Sequence, residues 1–241
     1  MPAKVSVVLP TYNRAWFLPG AIRSVLAQTV QDWELIIVDD GSTDDSRAVI
    51  ERFKDPRIRV LYREHEGQNL TMRAGVEAST CPLIAFLSSD DELTPNALAD
   101  YLVAFEQNGW VDVAYGDVYI EHIDNIFGGM AGQRSELRAV EPEALPFRNV
   151  VWGCMFRRSM YDALGGWPTQ WEIAADYGFW LSAYASGFKL LPVHRFTYLY
   201  RYHVGGQTFT KRRKQLKETD DVQAQYRAGK LNVRQPAGPG F

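Results

Sequence analysis

The sequence predicts an α/β protein whose mostly parallel central sheet is flanked by helices, and three observations carry that prediction. Short apolar runs alternate with helically spaced apolar residues through the first half of the chain. Parallel neighbours need crossover connections, which such alternation supplies. Paired acids stand at the ends of two of the apolar runs, Asp39 with Asp40 and Asp90 with Asp91, where ligands bind on parallel sheets.

Val5 to Leu9 reads as the first buried strand, followed by a helix in which Phe17, Leu18, Ala21, Ile22, Val25 and Leu26 recur on one face. Leu35 to Val38 is the second strand. Ser42 is then placed to cap a helix carrying Val49, Ile50 and Phe53, with Asp45 three positions after the cap. Ile58 to Tyr62 reads as a strand, Leu70 to Ala78 as a helix and Leu83 to Leu87 as the fourth strand. Thr94 and Pro95 supply a cap and a first helical position for a helix with Leu98, Leu102 and Phe105.

The second half is less regular. Val113 to Ile123 reads as extended chain, and residues 127–138, with Gly128, Gly129 and Gly132, as a mobile loop and candidate lid. Ile173 to Ser186 is helical and stopped by Gly187. Phe196 to His203 alternates, placing Phe196, Tyr198, Tyr200 and Tyr202 on one strand face and Arg201 with His203 on the other. A basic helix-like run, Lys211 to Lys217, precedes a loose tail rich in Pro and Gly. One domain over residues 1–228 is expected, with a tail over 229–241.

The 241 residues are 46% hydrophobic and 23% charged, which suits a globular domain with its own core. A net charge of −3 leaves no global field to draw nucleic acid, so that partner is excluded. Cys81 and Cys154 form neither a metal-spaced pair nor a disulfide framework, and the chain enters a strand directly after Met1. With no apolar run of spanning length, these features predict a cytoplasmic protein that meets a membrane, if at all, at its inner surface.

Four carboxylates converging at strand ends repel one another unless a cation or hydrogen-bond donors share the space. Carboxylates with few histidines suit magnesium or manganese, whose shells are completed by water and substrate phosphates. The plainer alternative is that these aspartates are caps and turn residues.

Val5 to Asn13, Ser24 to Thr29 and Val38 to Ser42 resemble the opening of family 2 glycosyltransferases of the GT-A fold. The resemblance continues through Gly67, Gly75, Ile84 to Asp91, Leu164 to Trp167, Asp176 to Leu181 and Tyr200 to His203. Several motifs in the correct order are more specific than any one of them. The resemblance implies an inverting hexosyltransferase of polysaccharide or glycoconjugate biosynthesis, acting on a UDP- or dTDP-sugar. Residues 1–110 would bind the nucleotide-sugar and residues 111–228 the acceptor, a glycan, lipid-linked or small-molecule hydroxyl.

By the same resemblance, Pro10, Thr11 and Tyr12 lie beneath the nucleotide base, with Tyr12 placed to stack on it. Asp39 and Asp40 look like the carboxylates that read the N3 hydrogen of uracil or thymine. Asp90 matches the ligand of Mn2+ or Mg2+, with Ser89 and Asp91 beside it on the donor; Ser88 stands where a first acid is usual. Asp176 matches the general base that deprotonates the acceptor, although Ala175 precedes it where Glu is usual. Arg201 is expected on the diphosphate and His203 on the metal. Arg73 is offset by one residue from the usual arginine, about 100° around a helix, yet remains a donor-binding candidate. Trp152, Cys154, Met155 and Trp171 offer an acceptor surface. The departures at Ser88, Ala175 and Arg73 keep open an alternative, a catalytically inactive nucleotide-binding or scaffold module.

Overall fold

Wholly apolar runs bury both faces only inside a sheet covered on each side, and that is how this chain uses them. A computed structural model describes residues 4–124, 131–149, 151 and 153–231. Strands β1 (Val5–Thr11) and β2 (Trp33–Asp39) are buried at every position. With β3 (Ile58–Tyr62) and β4 (Leu83–Phe86) they form a parallel block in the order β3-β2-β1-β4. Helices α1 (Leu18–Leu26), α2 (Ser46–Ile50) and α3 (Gln68–Ala78) are its crossovers.

Beyond β4 the sheet becomes mixed. After β5 (Glu92–Leu93) and α4 (Ala97–Gln107) come β6 (Val113–His122), β7 (Arg134–Leu137) and β8 (Cys154–Arg157). Strand β8 pairs antiparallel with β4 and with β6. Helices α5 (Arg158–Ala163) and α6 (Ala175–Ala185) lead to β9 (Leu190–Tyr202), which lies parallel to β6. Helices α7 (Gln207–Thr210) and α8 (Arg212–Arg227) complete the described chain.

Alternation along β1 divides the core. Val5, Val7 and Leu9 pack beneath α1 and α4, together with Ile22, Leu98 and Tyr101. Val8 faces the opposite layer with Met72, Phe86, Phe156, Trp167, Phe179 and Trp180. Gly75 lets α3 lie directly on β1, because a Cβ there would stand 2.3 Å from the Val8 side chain.

Several local expectations are corrected. Ser42 does not cap α2, which begins at Ser46; its hydroxyl accepts the Asn13 N–H at 2.9 Å, tying two strand-end loops together. Thr94 and Pro95 precede α4 without capping it, since the helix starts at Ala97. The Thr94 hydroxyl instead donates to the Phe196 carbonyl at 2.7 Å. Arg134 to Leu137, expected within a loop, pairs with β6 as β7; residues 127–130 of that loop lie outside the described residues, as do Trp152 and residues 232–241 of the tail. The alternation from Phe196 to His203 is interrupted by a register shift against β6, where Thr197 turns inward to receive the Tyr101 hydroxyl at 2.7 Å.

Candidate functional site

The carboxyl ends of β1, β2 and β4 meet at one edge of the sheet, and the polar residues that follow those strands gather there. Thr11 pairs in register with Asp39 at the ends of β1 and β2. Its hydroxyl is buried without a hydrogen-bond partner, an exception to the rule that buried polar groups are paired. Tyr12 follows, and its ring stacks on His65 with centroids 4.0 Å apart.

The two acids after β2 differ in what they hold. Gly41 turns the chain with φ +74°, and a Cβ there would lie 2.9 Å from the His65 amide. That close approach lets Asp40 accept the amides of Glu66 at 2.9 Å and Gly67 at 3.0 Å, with the His65 ring at 2.8 Å. Asp40 is therefore committed to the turn leading into α3. Asp39 receives the Ser42 amide at 3.2 Å through Oδ1 alone.

The acids after β4 also part company. Asp91 is buried and accepts the Tyr198 hydroxyl at 2.9 Å and the Arg201 amide at 2.8 Å. Burial, and then the charge of Asp90, push its carboxyl well above the ordinary range. Asp90 faces the cleft and meets Arg14 Nε at 3.3 Å and His203 Nε2 at 3.2 Å. Burial opposes its ionisation, but the His203 hydrogen bond and the Arg14 charge outweigh it and hold the carboxyl below its usual value. Ser88, in the place of a first acid, is fixed through its amide by the Tyr198 hydroxyl at 3.1 Å.

This donor set fits a hard divalent cation that takes part of its shell from the ligand. Asp90 is ionised, His203 stands beside it, and Asp91 is occupied. Among the described residues no cluster of three or more His, Cys, Asp or Glu side chains could hold a metal ion. Phosphate oxygens and water would have to supply the remaining positions, as magnesium sites ordinarily allow.

Asp176 opens α6 and reaches the same edge of the sheet. Burial, and then the charge of Asp176, raise the pKa of the Cys154 thiol at the start of β8, where that antiparallel strand passes the end of β4. Burial raises the Asp176 carboxyl to about 6, against the Tyr177 amide and the Asn149 side chain, which donates at 2.8 Å. The helix start is held from a distance. Glu218 of α8 accepts the amides of Glu172 at 3.1 Å, Ile173 at 2.7 Å and Ala174 at 3.0 Å. These donors belong to the segment that leads into α6, ending at its N-cap Ala174, so Glu218 anchors the approach to the helix. Asp221 accepts the Trp171 indole N–H at 2.8 Å, and Asn69 of α3 donates to the Trp171 carbonyl at 2.6 Å.

Of the residues expected at the site, Pro10, Thr11, Tyr12, Asp39, Asp40, Ser89, Asp90, Asp91 and His203 gather at this edge, joined by Asp176. Arg201 contributes its backbone N–H to Asp91, while its guanidinium is paired with Glu92 and Glu121. Arg73 lies midway along α3, where its charge acts on the Tyr161 hydroxyl. Trp171 is buried, with Gly178 of α6 lying against its ring, so it braces the helix and offers no open acceptor surface. Sequence reasoning missed Arg14, His65, Asn149, Tyr198 and Glu218. Arg14 alone carried a signal, a cation in the loop directly after β1; the others act across 25 to 107 positions of sequence.

A parallel α/β block with acidic residues gathered at its carboxyl edge defines an α/β protein whose ligand site lies at that edge. Residues 6–165 match the model of glycosyl transferase family 2, and the chain belongs to that family. It is 32% identical over 183 residues to an uncharacterized glycosyltransferase of Nostoc sp., covering 72% of this chain and 57% of the relative. It is 29% identical over 181 residues to a PGL/p-HBAD biosynthesis glycosyltransferase of Mycobacterium tuberculosis, covering 72% and 67%. The chain thus spans less than two thirds of the Nostoc relative's length. Among solved structures, the fold is shared with S. aureus TarS 1-349 in complex with UDP-GlcNAc (TM-score 0.70, 16% identity, 95% of this chain and 72% of that one). It is also shared with the mannosyltransferase PcManGT of Pyrobaculum calidifontis in complex with GDP-Man and Mn2+ (0.71, 16%, 97% and 69%). The GT-A architecture expected from sequence is therefore present. Among the described residues no helix is long and apolar enough to cross a membrane.

Proposed function

We propose that the chain is an inverting glycosyltransferase that moves a sugar from a UDP- or dTDP-sugar to an acceptor hydroxyl. The observation that carries the reading is the pair of unlike carboxyls at one sheet edge: Asp90 held ionised, Asp176 raised to about 6. Environments that push two acids apart separate an electrostatic role from a proton-transfer role. The complexes of the two structural neighbours, with UDP-GlcNAc and with GDP-Man and Mn2+, support a nucleotide-sugar donor.

Among the described residues neither the Thr11 hydroxyl nor Asp39 Oδ2 has a hydrogen-bond partner, and both would meet the nucleotide base. Asp39 is the group that accepts a uracil or thymine N3 hydrogen, since Asp40 is occupied by the turn. Tyr12 and His65 present a stacking surface beside it. Asp90 with His203 would hold Mn2+ or Mg2+, which when bound neutralises charge on the departing nucleoside diphosphate. Asp176 takes the acceptor hydroxyl proton while that oxygen attacks the anomeric carbon. The bond to the diphosphate breaks on the opposite face and its electron pair leaves with the nucleotide. A base near pKa 6 is mostly ionised at neutral pH yet basic enough to accept that proton.

Isothermal titration with UDP, dTDP and GDP, with and without Mn2+, tests the reading. Manganese-dependent binding of UDP or dTDP that Asp90→Ala abolishes is expected. Failure of every nucleoside diphosphate to bind the folded protein would overturn it.

A further inference from the structure

The basic run after β9 divides by direction. Lys211 and Lys214 turn toward the body of the protein and pair with Glu172. Arg212, Arg213 and Lys217 face solvent; Arg212 reaches only the Gln215 side chain, and Arg213 and Lys217 have no carboxylate partner among the described residues. The inner face of α8 is marked by buried Val222 and by the Glu218 and Asp221 contacts to the start of α6. The outer face therefore carries Arg213, Leu216, Lys217 and, one turn on, Asp220.

Apolar side chains interleave with these charges. Leu216 is 51% exposed, and Phe209, on the separate preceding helix α7, is 39% exposed. Val204, in the turn before α7, is 49% exposed, and Trp16 is 86% exposed. The two loops bearing Trp16 and Val204 are neighbours: Arg14 donates to the Gly205 carbonyl at 3.2 Å, and the Phe17 and His203 rings lie 4.5 Å apart. Trp16 and Val204 thus stand on neighbouring loops near Asp90 and His203, and exposed Phe209 and Leu216 follow Val204 in the chain on α7 and α8.

We infer that this surface docks on an anionic phospholipid bilayer, with Trp16, Val204, Phe209 and Leu216 entering the headgroup region while Arg212, Arg213 and Lys217 meet the lipid phosphates. Indole rings favour the membrane–water interface. Basic side chains interleaved with apolar ones on one helix face match an anionic interface, whereas a polar acceptor or a nucleic acid would leave the aliphatic groups unmatched. The net charge of −3 on the whole chain makes the local basic cluster the part that such a surface attracts. Docking here would hold the cleft open toward a hydroxyl carried at the lipid surface.

Vesicle flotation without nucleotide tests the surface independently of the transfer reaction. Phosphatidylcholine vesicles and mixed phosphatidylcholine–phosphatidylglycerol vesicles serve as probes, at low and high salt, with UDP binding and thermal unfolding measured on the same samples. The wild-type chain should float with the anionic vesicles alone and release as salt rises. Arg213→Gln with Lys217→Gln should weaken partitioning on the order of tenfold or more, because each basic group near such a surface contributes about fivefold. Trp16→Ser and Leu216→Ser should weaken it further, with folding and UDP binding unchanged. No flotation with anionic vesicles, flotation indifferent to these substitutions, or a mass showing that the face instead joins two copies would each overturn the inference. Vesicle binding without binding of any nucleoside diphosphate would sustain it while removing the proposed function.

Discussion

Glu218 is a severe test of how α6 and Asp176 are held, because its carboxylate anchors the residues leading into the helix from 44 or more positions away. Glu218→Ala leaves three N–H groups without their acceptor. The Glu172 amide belongs to an exposed residue and rehydrates, whereas those of half-buried Ile173 and buried Ala174 do not. At about 1 to 1.5 kcal/mol for each desolvated donor, the loss comes to about 2–3 kcal/mol. For a chain of this size that lowers Tm by about 5–10 °C. Hydrogen exchange should accelerate at residues 172–174 while β1 and β2 stay protected. Carboxyl NMR of Asp176 should show its titration falling below about 6, because a loosened helix start admits water and removes the burial that raises it. Glu218→Gln, which keeps one acceptor oxygen, should fall between the two. An unchanged Tm and unchanged exchange at residues 172–174 in Glu218→Ala would falsify the long-range anchor.

Asp176→Asn should stabilise the fold as it removes the proposed base. The folded pKa of about 6 lies above the ordinary carboxyl value, so the native state favours the protonated form and stability is lost as pH rises through 6. The amide therefore gains on the order of 2 kcal/mol at pH 8 and little at pH 4, read by denaturant unfolding at both pH values; equal effects at the two would refute the burial argument. Tyr198→Phe removes the hydroxyl that joins the Ser88 amide to Asp91. It should cost about 2–3 kcal/mol in urea unfolding and weaken Mn2+-dependent UDP binding, since the β4 loop carrying Asp90 loses one of its ties to β9 and keeps the Arg201 amide on Asp91; a wild-type midpoint would show that the loop does not depend on it.

The parallel block was legible in the sequence because β1, β2 and β4 are buried on both faces and show as largely apolar runs, while β3 at the edge is only partly buried. Val5 to Leu9 and Leu35 to Val38 could be little else once helical stretches followed them. The edge strand β7 was not legible: Arg134, Ser135 and Glu136 are exposed, and only pairing with β6 makes them a strand. Helix starts were misplaced at Ser42 and Thr94 because a hydroxyl can cap a helix or tie two loops with equal local chemistry, and the neighbour decides which.

The amino-acid order by itself determined the fold class and pointed to the carboxyl edge, where Asp39, Asp40, Asp90 and Asp91 stand, since these depend on strand ends and residue type, while Asp176 was indicated only by the family resemblance. Tertiary structure alone decided how those acids divide their work. Asp40 and Asp91 are consumed by backbone and side-chain donors brought from β9 and from the turn into α3. Asp90 faces Arg14 and His203 across gaps of 76 and 113 residues, and Asp176 owes its setting to Asn149 and its helix start to Glu218. A carboxyl group's role follows from its neighbours' charge and from its access to water, and neither quantity is a property of the chain until it folds.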